Sequence, residues 1–362
     1  MNVSLYKPEI GLGEENAVMR VLKSGSLSKG MEVSALETEF AMYVDKKYAV
    51  AVNSGTSGLH LAVRALGGKA GDEIITTPFS YIASSNALLY EGIKPVFVDI
   101  DPKTLNIDVN KLENKITPKT KGILLVHIFG LPGEKYNFLR LVKKYKLQVI
   151  EDACETVGRP SSHFPIGSYG SITVYGFFEN KQITTGGEGG MIVTNNKNLF
   201  NLCRSMRDQG RSQKKNWIDN VILGFNYRMT EIQAAFGRIQ LRKLDRMLYS
   251  RERIARLYGS LLRDSNIEIP FVSHFSRSWF VYYVIFKDKD MRQKIKRILD
   301  KKGIKNSDSY FPPIPHFPLY RYDKSKYPVC ENISQRLLTL PLFTVLSKES
   351  VRCICRIIIE NI

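Results

Sequence analysis

Seven short runs rich in valine and isoleucine, separated by turns and helical patterns, occupy residues 48 to 195 and constrain the fold more than any other feature. They read YAVAV (48–52), EIITT (73–77), KPVFVDI (94–100), GILLVHI (122–128), QVIED (148–152), SITVYGFF (171–178) and GGMIVTN (189–195). Short runs that are apolar almost throughout belong to strands buried on both faces. The intervening SGLHLAVRAL, SNALLYEG and YNFLRLVKKYK have helical spacing, and strands alternating with helices predict an α/β fold with a mostly parallel sheet covered on both sides. Functional groups then belong at the carboxyl ends of strands, where such sheets hold their ligands.

Beyond Met229 the pattern changes. A long helix, TEIQAAFGRIQLRKLDRMLYSRERIARLYGSLLRD, is followed by turns near Asp264 and Pro270 and a strand WFVYYVIF (279–286). A helix MRQKIKRILDKKG ending at Gly303 and a terminal helix ESVRCICRIIIENI complete the chain. This predicts a large domain over residues 1–250 and a smaller C-terminal α/β domain over 251–362.

Apolar residues at 43% and charged residues at 24% exclude disordered and fibrous classes. The opening MNVSLYKPEIGLGEEN lacks a basic-then-apolar layout, and stretches such as GILLVHIFG are too short to span a bilayer, so a cytoplasmic protein without membrane insertion is expected. Cys154, Cys203, Cys330, Cys353 and Cys355 show no CxxC spacing and the histidines are scattered, which predicts neither a disulfide framework nor a metal site. A formal charge of +18 raises nucleic acid as a partner. Residues 242–305, however, carry 17 Lys and Arg against 7 Asp and Glu in a mainly helical segment entered through the apolar stripe Ile232, Ala235, Phe236 and Ile239. Those charges read as solvated helix faces, and no zinc finger, RNP-like aromatic motif or basic tail accompanies them; an anionic small substrate suits this surface better than nucleic acid.

Three strand ends carry chemistry. In VNSGTSGLHL, Ser54 to Gly58 precede a helix, so N–H groups and hydroxyls converge where the helix dipole favours an anion; the same residues are equally a well-capped helix start. In VIEDACE, Glu151 and Asp152 follow a buried strand, and a buried carboxylate needs a cation or several donors; Asp152 fits a protonated ring nitrogen, or a strand-end cap. Lys181 lies between Phe177 and Phe178 on one side and Gly186, Gly187, Gly189 and Gly190 on the other. Partial desolvation there favours imine chemistry, and the glycines permit close backbone approach, although a lone lysine is as readily a solvated cation. Together the three are more specific than any one. An anion cup, a buried acid and an amine, each at a strand end of one sheet, are the anchors pyridoxal phosphate requires. Rival phosphate motifs fail, since TGGEGG lacks the GK[ST] ending and no GxGxxG follows the first strand.

The chain resembles the DegT/DnrJ/StrS family of sugar aminotransferases along nearly its whole length. The matching stretches are SLSKGMEVSALETEFA, VNSGTSGLHLA, TTPFSYIASSNALLYEGIKPVFVDID, VIEDACETVG, NKQITTGGEGGMIVTN, GFNYRMTEIQAA, SWFVYYV and LPLF. The resemblance implies a fold-type I enzyme using pyridoxal 5'-phosphate, with Lys181 as the Schiff-base lysine and Asp152 as partner of the pyridine nitrogen. It further implies a phosphate cup at Gly55, Thr56 and Ser57, and Tyr81 stacked on the cofactor. Asn226 and Arg228 match residues reaching into a neighbouring subunit's site, which implies a homodimer, and His316 resembles a substrate-side histidine. The implied reaction moves an amino group from an amino acid, with L-glutamate expected, to a nucleotide-linked keto-sugar. A dehydratase-like relative and a non-catalytic regulatory homologue are the alternatives; the first replaces the lysine that is present here.

Three positions depart from the commoner pattern. Glu155 stands where many members have Gln or His beside the cofactor's phenolic oxygen, so it must be protonated or bridged by water; a subset of members resembles this chain in having Glu there. Gly176 replaces a frequent phosphate-binding Ser. TTGGEGG carries one glycine more than the usual TTGEGG.

Overall fold

A computed structural model describes residues 2–212, 219–271, 276–320, 322–323 and 325–362. In chain order the first elements are α1 (Leu12–Ser24), α2 (Met31–Tyr43), β1 (Tyr48–Val52), α3 (Gly55–Ala65), β2 (Glu73–Thr76), α4 (Ala83–Leu89) and β3 (Lys94–Phe97). There follow α5 (Val109–Leu112), β4 (Thr120–Val126), α6 (Tyr136–Tyr145), β5 (Gln148–Asp152), β6 (Ile172–Gly176), β7 (Gly190–Thr194) and α7 (Lys197–Arg207). The remainder is α8 (Glu231–Leu262), β8 (Tyr282–Ile285), α9 (Lys289–Lys301), α10 (Pro328–Arg336), β9 (Leu337–Leu340) and α11 (Lys348–Ile359).

All seven Val/Ile runs enter one sheet of order β1-β7-β6-β5-β4-β2-β3. β7 runs antiparallel to both β1 and β6, and the other pairings are parallel, giving the mostly parallel mixed sheet of a fold-type I α/β protein. Because side chains alternate along a strand, each run feeds two cores. Val50, Val52, Leu124, Val126, Ile150, Ile172, Val174 and Ile192 pack on one face with α3. Ala49, Ala51, Tyr175, Met191 and Val193 pack on the other with α2 and α8, and Ile123, Leu125 and Val149 with α6. A purely alternating pattern would have left one face wet; these runs leave neither.

Three runs pair for less than their apolar length. Residues 94–100 leave the ladder after Phe97, 122–128 after Val126 and 171–178 after Gly176. Asp99 instead accepts the N–H groups of Val329 and Cys330 at 3.1 and 2.9 Å, capping the first turn of α10, and Phe129 turns the chain at φ 52°. Those departures bring the C-terminal segment onto the strand ends.

α8 begins with a reciprocal cap, Thr230 Oγ1 accepting Gln233 N–H at 3.2 Å and Gln233 Oε1 accepting Thr230 N–H at 2.9 Å. It runs unbroken past residue 250 and packs Ile254, Tyr258 and Leu262 into a second core with α9, α11 and the antiparallel pair β8–β9. Val3 pairs with Ile304 and joins that core. Tyr282, Val284, Leu338 and Leu340 face it, whereas Tyr283, Ile285 and Leu337 face the first core, so the small sheet stands over the carboxyl ends of the large one.

Candidate active site

The acids Glu151 and Asp152 are adjacent on β5 and therefore point to opposite faces. Glu151, fully buried, accepts the N–H groups of Gly167 at 2.8 Å and of Tyr169 and Gly170 at 3.0 Å, with His127 Nε2 at 3.3 Å. Its role is to hold the turn ahead of β6. Asp152, 3% exposed, faces a cavity of about 510 Å³ instead. Ser84 Oγ–H donates to its Oδ2 at 2.7 Å and Cys154 N–H to its Oδ1 at 3.1 Å, which fixes the carboxylate in one orientation. Ser80 supports Ser84, hydroxyl to hydroxyl, at 3.0 Å.

Lys181 lines the same cavity, on the loop between β6 and β7. The ring its Nζ meets is neither Phe177, which is buried beside Phe40, nor Phe178, but Phe280 just ahead of β8, at 4.0 Å from the ring centroid. Among the described residues this amine makes no ion pair or hydrogen bond. The TTGGEGG glycines divide into two pairs. Gly186 and Gly187 turn the loop at φ 84° and 125°, the left-handed region that favours glycine, and so absorb the additional residue. Gly189 and Gly190 allow close approach: a Cβ on Gly189 would fall 2.0 Å from Thr185 Oγ1, and one on Gly190 2.8 Å from the backbone C and O of Ser54. Gly190→Ala therefore lowers unfolding free energy by about 1–3 kcal/mol in urea titration, because rigid backbone rather than a side chain must yield.

Ser54 caps α3 by accepting Ser57 N–H at 3.1 Å, and Ser57 Oγ–H donates to Asn53 Oδ1 at 2.6 Å. Ser57 is buried in this cap and is not part of the cavity wall, whereas Gly55 and Thr56 are. The first N–H groups of a helix have no intrahelical acceptor, so those two residues keep donors for an anion. A Cβ on Gly55 would meet Cys154 Sγ at 2.9 Å, and one on Gly176 would meet Cys154 Cβ at 3.2 Å. Cys154 thus fills the space a serine at 176 would use, and burial pushes its thiol up.

Tyr81, 66% exposed, borders the cavity rather than sitting in the core. Glu155 is buried with Phe129 N–H donating to Oε2 at 2.9 Å and Tyr310 O–H donating to Oε1. Burial raises its carboxyl to about 7, the charge of Asp152 adding to the rise while Lys181 and the Phe129 N–H oppose it. The folded protein therefore holds this proton more tightly than the unfolded chain. That contribution to stability is complete below about 4.5 and is lost as pH rises through about 7. Glu155→Gln removes this loss, so urea unfolding from pH 4.5 to 8 shows its stability relative to wild type growing with pH by on the order of 3 kcal/mol.

Lys181, Asp152, Gly55, Thr56, Tyr81 and Glu155 thus share one cavity. Asn226, Arg228 and His316 lie outside it. Asn226 is exposed and bridged to Asp208; Arg228 Nη1 is 2.7 Å from Asp208 Oδ1 in a separate basic recess with Lys29, Arg204, Arg207 and Arg211. His316 faces Glu331 at 3.3 Å on the surface. Sequence reasoning missed Ser84, Asn180, Phe280, Asp308 and Tyr310, of which Ser84, Asn180 and Phe280 lie in stretches it had singled out.

The donor set suits pyridoxal phosphate: an amine that makes no hydrogen bond or ion pair among the described residues, an immobilised carboxylate and a helix N-terminus with a glycine where any Cβ would collide, all around one cavity. Among the described residues no cluster of metal-binding side chains competes with this reading, and no helix is long and apolar enough to cross a membrane.

The model of the DegT/DnrJ/EryC1/StrS aminotransferase family matches residues 8–359. The chain is 36% identical over 362 residues to GDP-perosamine synthase of Escherichia coli O157:H7, covering 99% of this chain and 98% of that one. Its fold is similar to that of Helicobacter pylori PseC, an aminotransferase involved in the biosynthesis of pseudoaminic acid, with a TM-score of 0.94, 29% identity, and coverage of 100% and 99%. It is similar also to S. venezuelae DesV in complex with a ketimine intermediate, with a TM-score of 0.91, 29% identity, and coverage of 99% and 98%.

Proposed function

The chain belongs to the DegT/DnrJ/EryC1/StrS aminotransferase family, and from that premise we propose that it moves an amino group from L-glutamate to a nucleotide-linked keto-sugar at the cavity bearing Lys181. Pyridoxal phosphate, the family's cofactor, supplies an aldehyde that condenses with amines and a ring that withdraws electrons from the attached carbon. The observation that carries the site assignment is that Lys181, Asp152 and the α3 N-terminus line one cavity.

Each residue has a separate task. Gly55 and Thr56 present N–H groups to the phosphate, aided by the dipole of α3. The Asp152 carboxylate, held by Ser84 and Cys154, would accept from the protonated ring nitrogen and keep that proton in place. Glu155, anchored by Tyr310 and Phe129, would lie beside the cofactor's phenolic edge. With the cofactor bound, Lys181 Nζ would take the proton from the donor's α-carbon and, in the opposite half-reaction, deliver one to the keto-sugar carbon. Glutamate leaves as 2-oxoglutarate, and the sugar carbonyl leaves as an amine.

Asn226, Arg228 and His316 complete the reading only in a homodimer, where the first two reach a neighbour's cavity and His316 lies on the substrate side. Exposed apolar side chains on α1 and α2, among them Leu12, Met31 and Met42, suit such an interface. The same reading divides the chain into units 1–250 and 251–362, and assigns it to surface-polysaccharide synthesis such as lipopolysaccharide in the cytoplasm. Incubating the protein with L-glutamate and a panel of nucleotide-linked keto-sugars tests the reaction. Release of 2-oxoglutarate matched by aminated sugar supports it; no amination of any keto-sugar counts against it.

A further inference from the structure

The cavity sets an amine among acids. Lys181 shares its wall with Asp152 and Glu155, and a carboxylate that paired with the ammonium would take the base out of use. The charge of Lys181 does reach Glu155, opposing the effect of burial on that carboxyl. Yet among the described residues Nζ makes no ion pair and lies instead 4.0 Å from the centroid of the Phe280 ring.

The place of that ring is set from behind and from both sides. Arg251, buried on α8, donates through Nη1 to Trp279 O, Phe280 O and Leu342 O at 3.2, 3.3 and 3.2 Å. Trp279 Nε1–H donates to Glu252, the next residue of α8. Ser278 N–H donates to Gly130 O at 2.9 Å, and Ser278 Oγ accepts from Gln182 Nε2 at 3.0 Å. Gln182 Nε2 also donates to Glu155 O at 2.7 Å. The residue after Lys181 is thus tied to the segment bearing the ring and to the backbone of Glu155, so the backbones that carry amine, ring and acid have fixed relative positions.

We propose that Phe280 is a positioning residue whose ring face parks the Lys181 amine, whenever that amine is not joined to the cofactor, clear of the Glu155 carboxylate. This rests on reading Lys181 as the amine that joins pyridoxal phosphate. A cation over a ring is held less strongly than in a desolvated ion pair and meets no lone pair that fixes its direction, so the amine stays in the cavity and leaves readily. A base that must let go, move a proton and return between half-reactions needs such a resting place.

The test is the rate at which the cofactor-free full chain captures pyridoxal phosphate, followed by visible absorption in stopped flow at about pH 8, above the value of about 7 to which burial raises Glu155. Phe280→Leu lowers that rate about 3- to 30-fold, the range a cation–ring contact is worth. Because Phe280 also packs into the first core, the same substitution is made in Glu155→Gln, where the competing charge is gone. There its effect falls to within about 2-fold, whereas a loss of packing would persist in both backgrounds. If Phe280→Leu does not fold, the wild type decides: reductive ¹³C-methylation of the cofactor-free protein gives a dimethyl-lysine resonance shifted upfield by a ring current, and Lys181→Ala lacks it. An undiminished rate in Phe280→Leu, an equal loss in both backgrounds, or the absence of that resonance overturns the proposal and leaves the proposed function standing. A wild type that captures no pyridoxal phosphate overturns both.

Discussion

Lys181→Ala lowers the rate of 2-oxoglutarate release from L-glutamate by at least about 10⁴-fold, because one amine both captures the aldehyde and carries the proton. The loss comes without unfolding. Among the described residues the amine makes no hydrogen bond or ion pair and lies over the Phe280 ring, and its backbone N–H donates to Phe178 O at 3.0 Å whatever the side chain. The thermal midpoint of the variant therefore stays within a few degrees of wild type, and the visible absorption of the loaded protein disappears. A small primary amine added to the solution restores part of the proton transfer, which it would not do for a misfolded site. Activity within tenfold of wild type would remove Lys181 from the chemistry.

Asp152→Asn is expected to lower the same rate by about 10²–10³-fold. The substitution keeps shape and leaves Oδ1 to accept Cys154 N–H, but it removes the charge that retains a proton on the ring nitrogen and turns an amide donor toward the Ser84 hydroxyl. The loss falls on kcat, since the carboxylate matters most when electrons flow into the ring, and much less on the KM for glutamate. Equal losses from Glu151→Gln would contradict this division of labour between the two adjacent acids. Glu151 faces backbone N–H groups on the opposite side of β5, so its replacement lowers stability rather than kcat.

The large sheet was legible because its strands are buried on both faces and bounded by turn residues, so seven apolar runs give seven strands. The cap at Thr230 and the left-handed Gly303 likewise mark helix ends by local chemistry. What sequence pattern did not show was the second side of the cavity. Phe280, Asp308 and Tyr310 reach it because Phe129 turns the chain and Asp99 caps α10, contacts that join residues more than 140 positions apart. The acids Glu151 and Asp152 were readable as a pair and not as individuals until strand register assigned each a face. Ser57 shows the converse, for its place in SGTSG suggested an anion contact, while its hydroxyl and N–H are spent on Asn53 and Ser54. The additional glycine of TTGGEGG found its reason only in backbone angles, as half of a turn that two left-handed residues make together.

Borohydride reduction of the pyridoxal-phosphate-loaded protein, followed by proteolysis and mass spectrometry, tests the central claim most directly. The account predicts a phosphopyridoxyl group on the peptide carrying Lys181, and none in Lys181→Ala. A label on any of the other lysines, or an equal label after that substitution, would contradict it.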